Sequence, residues 1–191
     1  MQFATEHQLK IGTIAELIEY RSRNESMVQR STEREIETAW GRFHLVAFRD
    51  LPTGAVHLAL TLGKLDAKDE TLVRVHEPLS VLDLLDTGKG SHSWGVGDTL
   101  TEIQRAGKGV MVLLNCSQSD EDLQAQLAGN RPARQGRSMD LRTYGIGAQI
   151  LRDLGVGKMR LMAAPRKMPS MAGFGLEVTG YVAGVGGREP K

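Results

Sequence analysis

Carboxylate and guanidinium groups gather near one point of this 191-residue sequence. Asp140 and Arg142 open an apolar, helix-periodic run, and Arg131, Arg134 and Arg137 precede them in a polar stretch that also holds Pro132. A helix N-terminus offers free backbone amides to an anion, and the arginine fork matches a pair of phosphate oxygens, so the pattern is suited to a phosphate. A solvated loop with Asp140 acting as a helix cap accounts for the same residues.

The other reactive side chains are more scattered. His76-Glu77 lacks a second histidine four residues on, which a metalloprotease helix would need. His92 stands alone between Ser91 and Ser93. Cys116 is the only cysteine in the chain, which excludes an internal disulfide framework and any zinc site built mainly from thiolates. With no histidine placed beside it by sequence, Cys116 reads as an inert thiol. Tyr144-Gly145-Ile146-Gly147 lies within a helical pattern instead of between a strand and a helix. It reads as small residues for close packing, not as a dinucleotide fingerprint.

Elements must hold these residues in place. With 24 Lys+Arg against 23 Asp+Glu the net charge is +1, so the basic surplus of a nucleic-acid binder is missing. Hydrophobic residues make up 40% of the chain and aromatics 5%, so the core must rest on aliphatic side chains and methionines. No apolar run approaches the ~20 residues of a membrane span, and the opening residues lack a basic-then-apolar leader pattern. The expectation is a cytoplasmic protein that contacts neither membrane nor nucleic acid.

Thr13 and Glu16 have the spacing of a capping box, followed by Ile14, Leu17 and Ile18 on one helical face. The charged stretch from Arg21 to Glu37 reads as a linker or an exposed edge strand. Beyond Trp40-Gly41 the pattern turns to strands: Phe43 to Phe48, Val56 to Leu62 and Leu72 to Val75, with Pro52-Thr53-Gly54 as a hairpin turn. Helices are expected over Asp98–Ala106 and Ser119–Ala128 and from Ser138 to Gly155, with a loop over Gly129–Ser138. Strands are expected over Gly109–Leu114, Lys158–Met162 and Leu176–Val182. Mixed elements of this kind predict an α+β fold, a mixed and largely antiparallel sheet flanked by helices.

These residues carry a resemblance. Asp140-Leu141-Arg142-Thr143-Tyr144-Gly145-Ile146-Gly147-Ala148-Gln149-Ile150-Leu151, continuing to Val156, resembles the signature helix of GTP cyclohydrolase II, the first committed enzyme of riboflavin synthesis. Lys158 to Met162 and Pro165-Arg166-Lys167 follow as in that family, while Trp40-Gly41-Arg42-Phe43 and Val73-Arg74-Val75-His76 resemble its opening strand and substrate-loop entrance. Phe3 to His7, with Leu9 to Ala15 and Leu17-Ile18, resembles instead the last helix of dihydroxybutanone phosphate synthase, often fused ahead of a cyclohydrolase II domain. The resemblance divides the chain into a synthase helix and tail over 1–28, a linker over 29–37, a cyclohydrolase II-like domain over 38–183 and a flexible tail over 184–191.

By that resemblance Asp140 is the proton acceptor and Arg142 the arginine that engages the α-phosphate, while Arg74, Val75, His76 and Lys167 match substrate contacts. The alternative, and the reading the residues favour, is that Asp140 and Arg142 remain because they cap and anchor their helix. The family's three zinc cysteines, spaced C-x10-C-x-C, fall here on Leu79, Gly90 and His92. An alkyl group and a hydrogen have no lone pair for a metal. The family's Gln-Glu-Gly-Arg motif falls on Cys116-Ser117-Gln118-Ser119, and its Thr-Asn-Asn-Pro contacts read Ala163-Ala164-Pro165.

The expectation is therefore a degenerate domain with no metal or cofactor (zinc absent, the family's magnesium doubtful) and weak or no GTP binding. It would form a homodimer and support the fused synthase. The alternatives are a cyclohydrolase using His92, His76 and Glu77 as unusual metal ligands, or a module that senses a phosphorylated ligand through its arginines.

Overall fold

Alternating apolar residues between Phe43 and Leu62 fold back on each other through the expected turn and start a seven-stranded sheet. The computed structural model describes residues 2–77, 93–115, 120–128, 141–165 and 171–184. Five helices and seven strands follow in the order α1 (Gln2–Glu6), α2 (Ile14–Asn24), β1 (Val28–Thr38), β2 (Gly41–Asp50), β3 (Val56–Leu62), β4 (Glu70–His76), α3 (Val96–Ala106), β5 (Gly109–Leu113), α4 (Asp120–Leu127), α5 (Leu141–Asp153), β6 (Lys158–Leu161) and β7 (Glu177–Tyr181). A 3-10 turn, Met171–Phe174, precedes β7.

The sheet runs β1-β2-β3-β5-β4-β6-β7. Its first three pairings are antiparallel and its last three parallel, so the expected mixed sheet is divided evenly between the two kinds. At the β2–β3 hairpin the Asp50 amide donates to the Ala55 carbonyl at 2.8 Å, and the Gly54 amide donates back to the Asp50 carbonyl at 2.7 Å. Gly54 sits at φ +73°, a left-handed conformation that glycine adopts without a Cβ clash.

The reading of residues 29–37 as a linker is corrected. That segment is β1, paired with β2 from Val28↔Asp50 to Thr38↔Gly41, with one irregularity at Ser31. Its sequence is polar because it is an edge strand with most of its side chains in water; backbone pairing, not apolar burial, holds it. The sheet domain therefore starts near residue 28 and not at 38, and α2 runs on to Asn24, past the point where the apolar pattern stops.

Helices cover both faces. On one, α5 lays Ile146, Ile150 and Leu151 over Val46, Phe48, Ala59, Val73, Val110 and Val112. On the other, Leu100 and Ile103 of α3 join Trp94 over Phe43, Leu60 and Met111. Burying a side chain of this size contributes about 1.5–3 kcal/mol, which is what locks two helices onto a sheet. Gly147 lets α5 approach β4: a Cβ there would stand 3.3 Å from Val75 Cγ1. The small residues of the Tyr144–Gly147 run thus serve packing. Among the described residues no helix is long and apolar enough to cross a membrane.

Candidate functional site

The chain leaves β4, β5 and β6 at the same edge of the sheet, because those three strands are parallel neighbours. The β4–α3 and β5–α4–α5–β6 connections depart to opposite sides, since β5 lies on one flank of β4 and β6 on the other. In open α/β sheets, the crevice outside the carboxyl ends at such a reversal is where ligands bind. The first turn of α5 stands at this edge, with Arg142 in it.

Arg142 has a partner that sequence spacing does not reveal. Its Nη2 donates to Oδ2 of Asp50, at 2.8 Å and 92 residues away, and Thr53 Oγ1 donates to the same oxygen. The Asp50 side chain is 3% exposed and that of Arg142 42%, so the carboxylate is the buried member of the pair and the arginine the partly exposed one. The hairpin turn dictates this arrangement. Asp50 closes β2, Thr53 is in the turn three residues on, and the pair presents one oxygen to α5.

His57 is buried beside this group. It lies opposite Phe48 on the sheet face that α5 covers, and its Nδ1 accepts the Asn115 amide at 2.9 Å just past the end of β5. Nδ1 being an acceptor, the neutral ring carries its proton on Nε2. Nε2 and Asp50 Oδ1 are buried and reach no hydrogen-bond partner among the described residues. Burial away from water holds the His57 pKa below the usual imidazole value; the Arg142 charge pushes the same way and the Asp50 carboxylate opposes both.

The β4 residues point inward. Arg74 is buried, with Nη1 donating to the Met162 carbonyl at 3.0 Å and Nη2 to the Trp94 carbonyl at 3.2 Å. Val75 packs against α5 at Gly147, and the His76 ring is buried while its carbonyl accepts the Leu114 amide at 2.9 Å. A small pocket of about 40 Å³ opens between β4 and α5, lined among others by Arg74, Val75, Thr143, Tyr144, Gly147 and Met162. Its walls are mainly apolar.

The structure thus brings Arg142, Arg74, Val75 and His76 to one end of the sheet. Asp140, Lys167, His92, Cys116 and the three loop arginines lie outside the described residues, as do the expected loop over 129–138 and nearly all of the tail. Asp50 and His57 are the members that sequence reasoning missed. Their signal was a polar residue at an inward position of an otherwise apolar alternation, and the turn motif that follows Asp50.

By the resemblance a zinc would need ligands at positions 79, 90 and 92, which lie outside the described residues. Two of the three matched positions are leucine and glycine, the chain has one cysteine, and among the described residues no three His, Cys, Asp or Glu side chains gather in ligating array.

Comparison with known proteins gives this geometry a context. Residues 29–183 match the family model described as GTP cyclohydrolase II. The chain is 44% identical over 181 residues to a 3,4-dihydroxy-2-butanone 4-phosphate synthase of Neisseria meningitidis serogroup B, covering 95% of this chain and 49% of that protein. It is 39% identical over 191 residues to the riboflavin biosynthesis protein RibBA of Aquifex aeolicus, covering 93% and 47%. A solved structure, RibBX, a two-domain 3,4-dihydroxy-2-butanone 4-phosphate synthase from A. baumannii, superposes with a TM-score of 0.62 at 38% identity, over 95% of this chain and 48% of that one. The chain spans about half the length of these relatives.

Proposed function

The chain belongs to the GTP cyclohydrolase II family, and on that premise we propose that it is a member without the ring-opening reaction, a dimerising or supporting domain for a dihydroxybutanone phosphate synthase in cytoplasmic riboflavin synthesis. One observation carries this reading: leucine and glycine stand where the family places two zinc thiolates. The zinc would lower the pKa of a water so that hydroxide can attack the guanine ring, and side chains without lone pairs cannot retain the ion.

Two further observations support it. Arg142, matched to the arginine that engages the α-phosphate, is held by Asp50, so a phosphate would have to share or displace a carboxylate already in place. The Neisseria relative is about twice the length of this chain and is named only for the synthase reaction. In this reading Asp50, Thr53 and Arg142 tie the start of α5 to the β2–β3 hairpin, and the pocket between β4 and α5 is small and mainly apolar.

Metal analysis with a formate assay tests the proposal. Purified protein is expected to carry no stoichiometric zinc, to release no formate from GTP, and to keep its melting temperature after dialysis against a chelator. Stoichiometric zinc with formate release would establish the altered-ligand enzyme instead. Saturable, salt-sensitive GTP binding without formate would establish a phosphate-sensing module.

A further inference from the structure

His57 can take a proton at one place only. Its Nε2 already carries the ring hydrogen, because Nδ1 accepts the Asn115 amide at 2.9 Å. A second proton must therefore go onto Nδ1, the atom that the amide already uses. Both nitrogens of a charged imidazole are donors, so no turn of the ring keeps an acceptor for Asn115. Protonation of His57 and the Asn115 bond exclude each other.

That bond holds the chain where it leaves β5 at the candidate site. Two successive amides are tied there: Leu114 donates to the His76 carbonyl at 2.9 Å, and Asn115 donates to the His57 ring. The first joins main chain to main chain and does not titrate; the second ends on a titratable side chain of β3. Asn115 is exposed, so an amide released by His57 passes to water.

The cluster also contains an acceptor for the charged ring. Asp50 is two residues along β2 from Phe48, which lies opposite His57, so carboxylate and imidazole are diagonal neighbours on the face that α5 covers. They are 2% and 5% exposed. Oδ2 of Asp50 is taken by Arg142 and Thr53, whereas Oδ1 and His57 Nε2 have no partner among the described residues. Burial holds the ring in its neutral form; of the charged groups acting on it, Asp50 favours the proton and Arg142 of α5 opposes it. Arg30 of β1 lies beyond Phe48, 5.8 Å from that ring, and is paired with Asp153 and Glu33. We propose that His57 is a proton-operated latch on the end of β5: neutral, it holds Asn115 at the edge of the candidate site, and on taking a proton at Nδ1 it lets Asn115 go and donates to Asp50 Oδ1 instead. The latch rests on hydrogen-bond geometry and is independent of the loss of zinc chemistry.

NMR on the full chain tests it, through the His57 ring nitrogens and the Asn115 amide. At about pH 7.5 the ring is expected as the Nε2–H tautomer, and between there and about pH 5, with the protein still folded, Nδ1 is expected to gain a proton. Over the same range the exchange protection of the Asn115 amide, corrected for the intrinsic rate, is expected to fall at least about tenfold relative to that of Val112 within β5. His57→Gln keeps an acceptor oxygen for the amide and cannot titrate, so its Asn115 protection is expected to stay level with that of Val112. A ring that stays neutral until the whole chain unfolds would overturn the proposal, as would a ring that titrates while Asn115 keeps its protection. A His57→Gln chain in which Asn115 loses the same protection would overturn it too. The first two readouts need no variant, so they decide the matter even where His57→Gln does not fold.

Discussion

His57 joins the core to the candidate site. Its ring is buried under α5, its Nδ1 is used by the Asn115 amide, and the positive charge it would gain on protonation is disfavoured by burial first and by Arg142 second. A base whose pKa is lowered on folding stabilises the native state at pH above its unfolded value of about 6.5, and that contribution is lost as pH falls toward the folded value. Urea unfolding midpoints are therefore expected to drop as pH is lowered from 7.5 to 5, and His57→Gln is expected to flatten the dependence over that range. A slope unchanged in the variant would assign the acid sensitivity to other groups. The sequence offers five histidines and no means of ranking them. His57 stands out only once its strand is paired, because its neighbours on that face are then seen to be apolar.

At the scale of the element, α5 gathers most of what matters. Arg142 at its start grips the β2–β3 hairpin, Gln149 holds the Met27 amide, and Asp153 at its end pairs with Arg30 of β1. Its inner face is buried in the apolar core through Ile146, Ala148, Ile150 and Leu151, and Gly147 is the point of near contact with β4. Gly147→Leu is expected to push α5 from the sheet and fill the pocket, destabilising the protein by about 1–3 kcal/mol. Chemical denaturation measures this, and a variant as stable as the original would show that α5 can shift without cost. This helix was legible in sequence because its periodicity, its small residues and its Gly155 stop agree. Its polar partners Asp50, Met27 and Arg30 were not, since each lies more than 90 residues away in the chain.

For the whole molecule, the decisive feature is that β1 closes the antiparallel edge. It is hydrophilic, and it covers a strand, β2, that is buried on both faces along much of its length. An uncovered β2 would present unpaired backbone groups beside apolar side chains, a template for pairing with another chain. Deleting residues 1–24 is expected to leave a protein that unfolds cooperatively and stays monodisperse. Deleting residues 1–38 is expected to give aggregation on size-exclusion chromatography. If both truncations behaved alike, β1 would have no protective role.

What the sequence by itself determined is what a few neighbouring residues can encode. The capping box at Thr13, the hairpin turn at Pro52-Thr53-Gly54, the apolar run of β5, the signature helix and the side chains without lone pairs at Leu79 and Gly90 all depend on residue type and short spacing. What only the tertiary structure decided is which distant groups meet. The assignment of residues 28–38 to a strand required the ladder of β2, and the partner of Arg142 required a hairpin folded under a helix. Local periodicity fixes which face of an element turns inward, but chain closure over 90 residues or more is set by packing of the whole core, and no short window of sequence contains it.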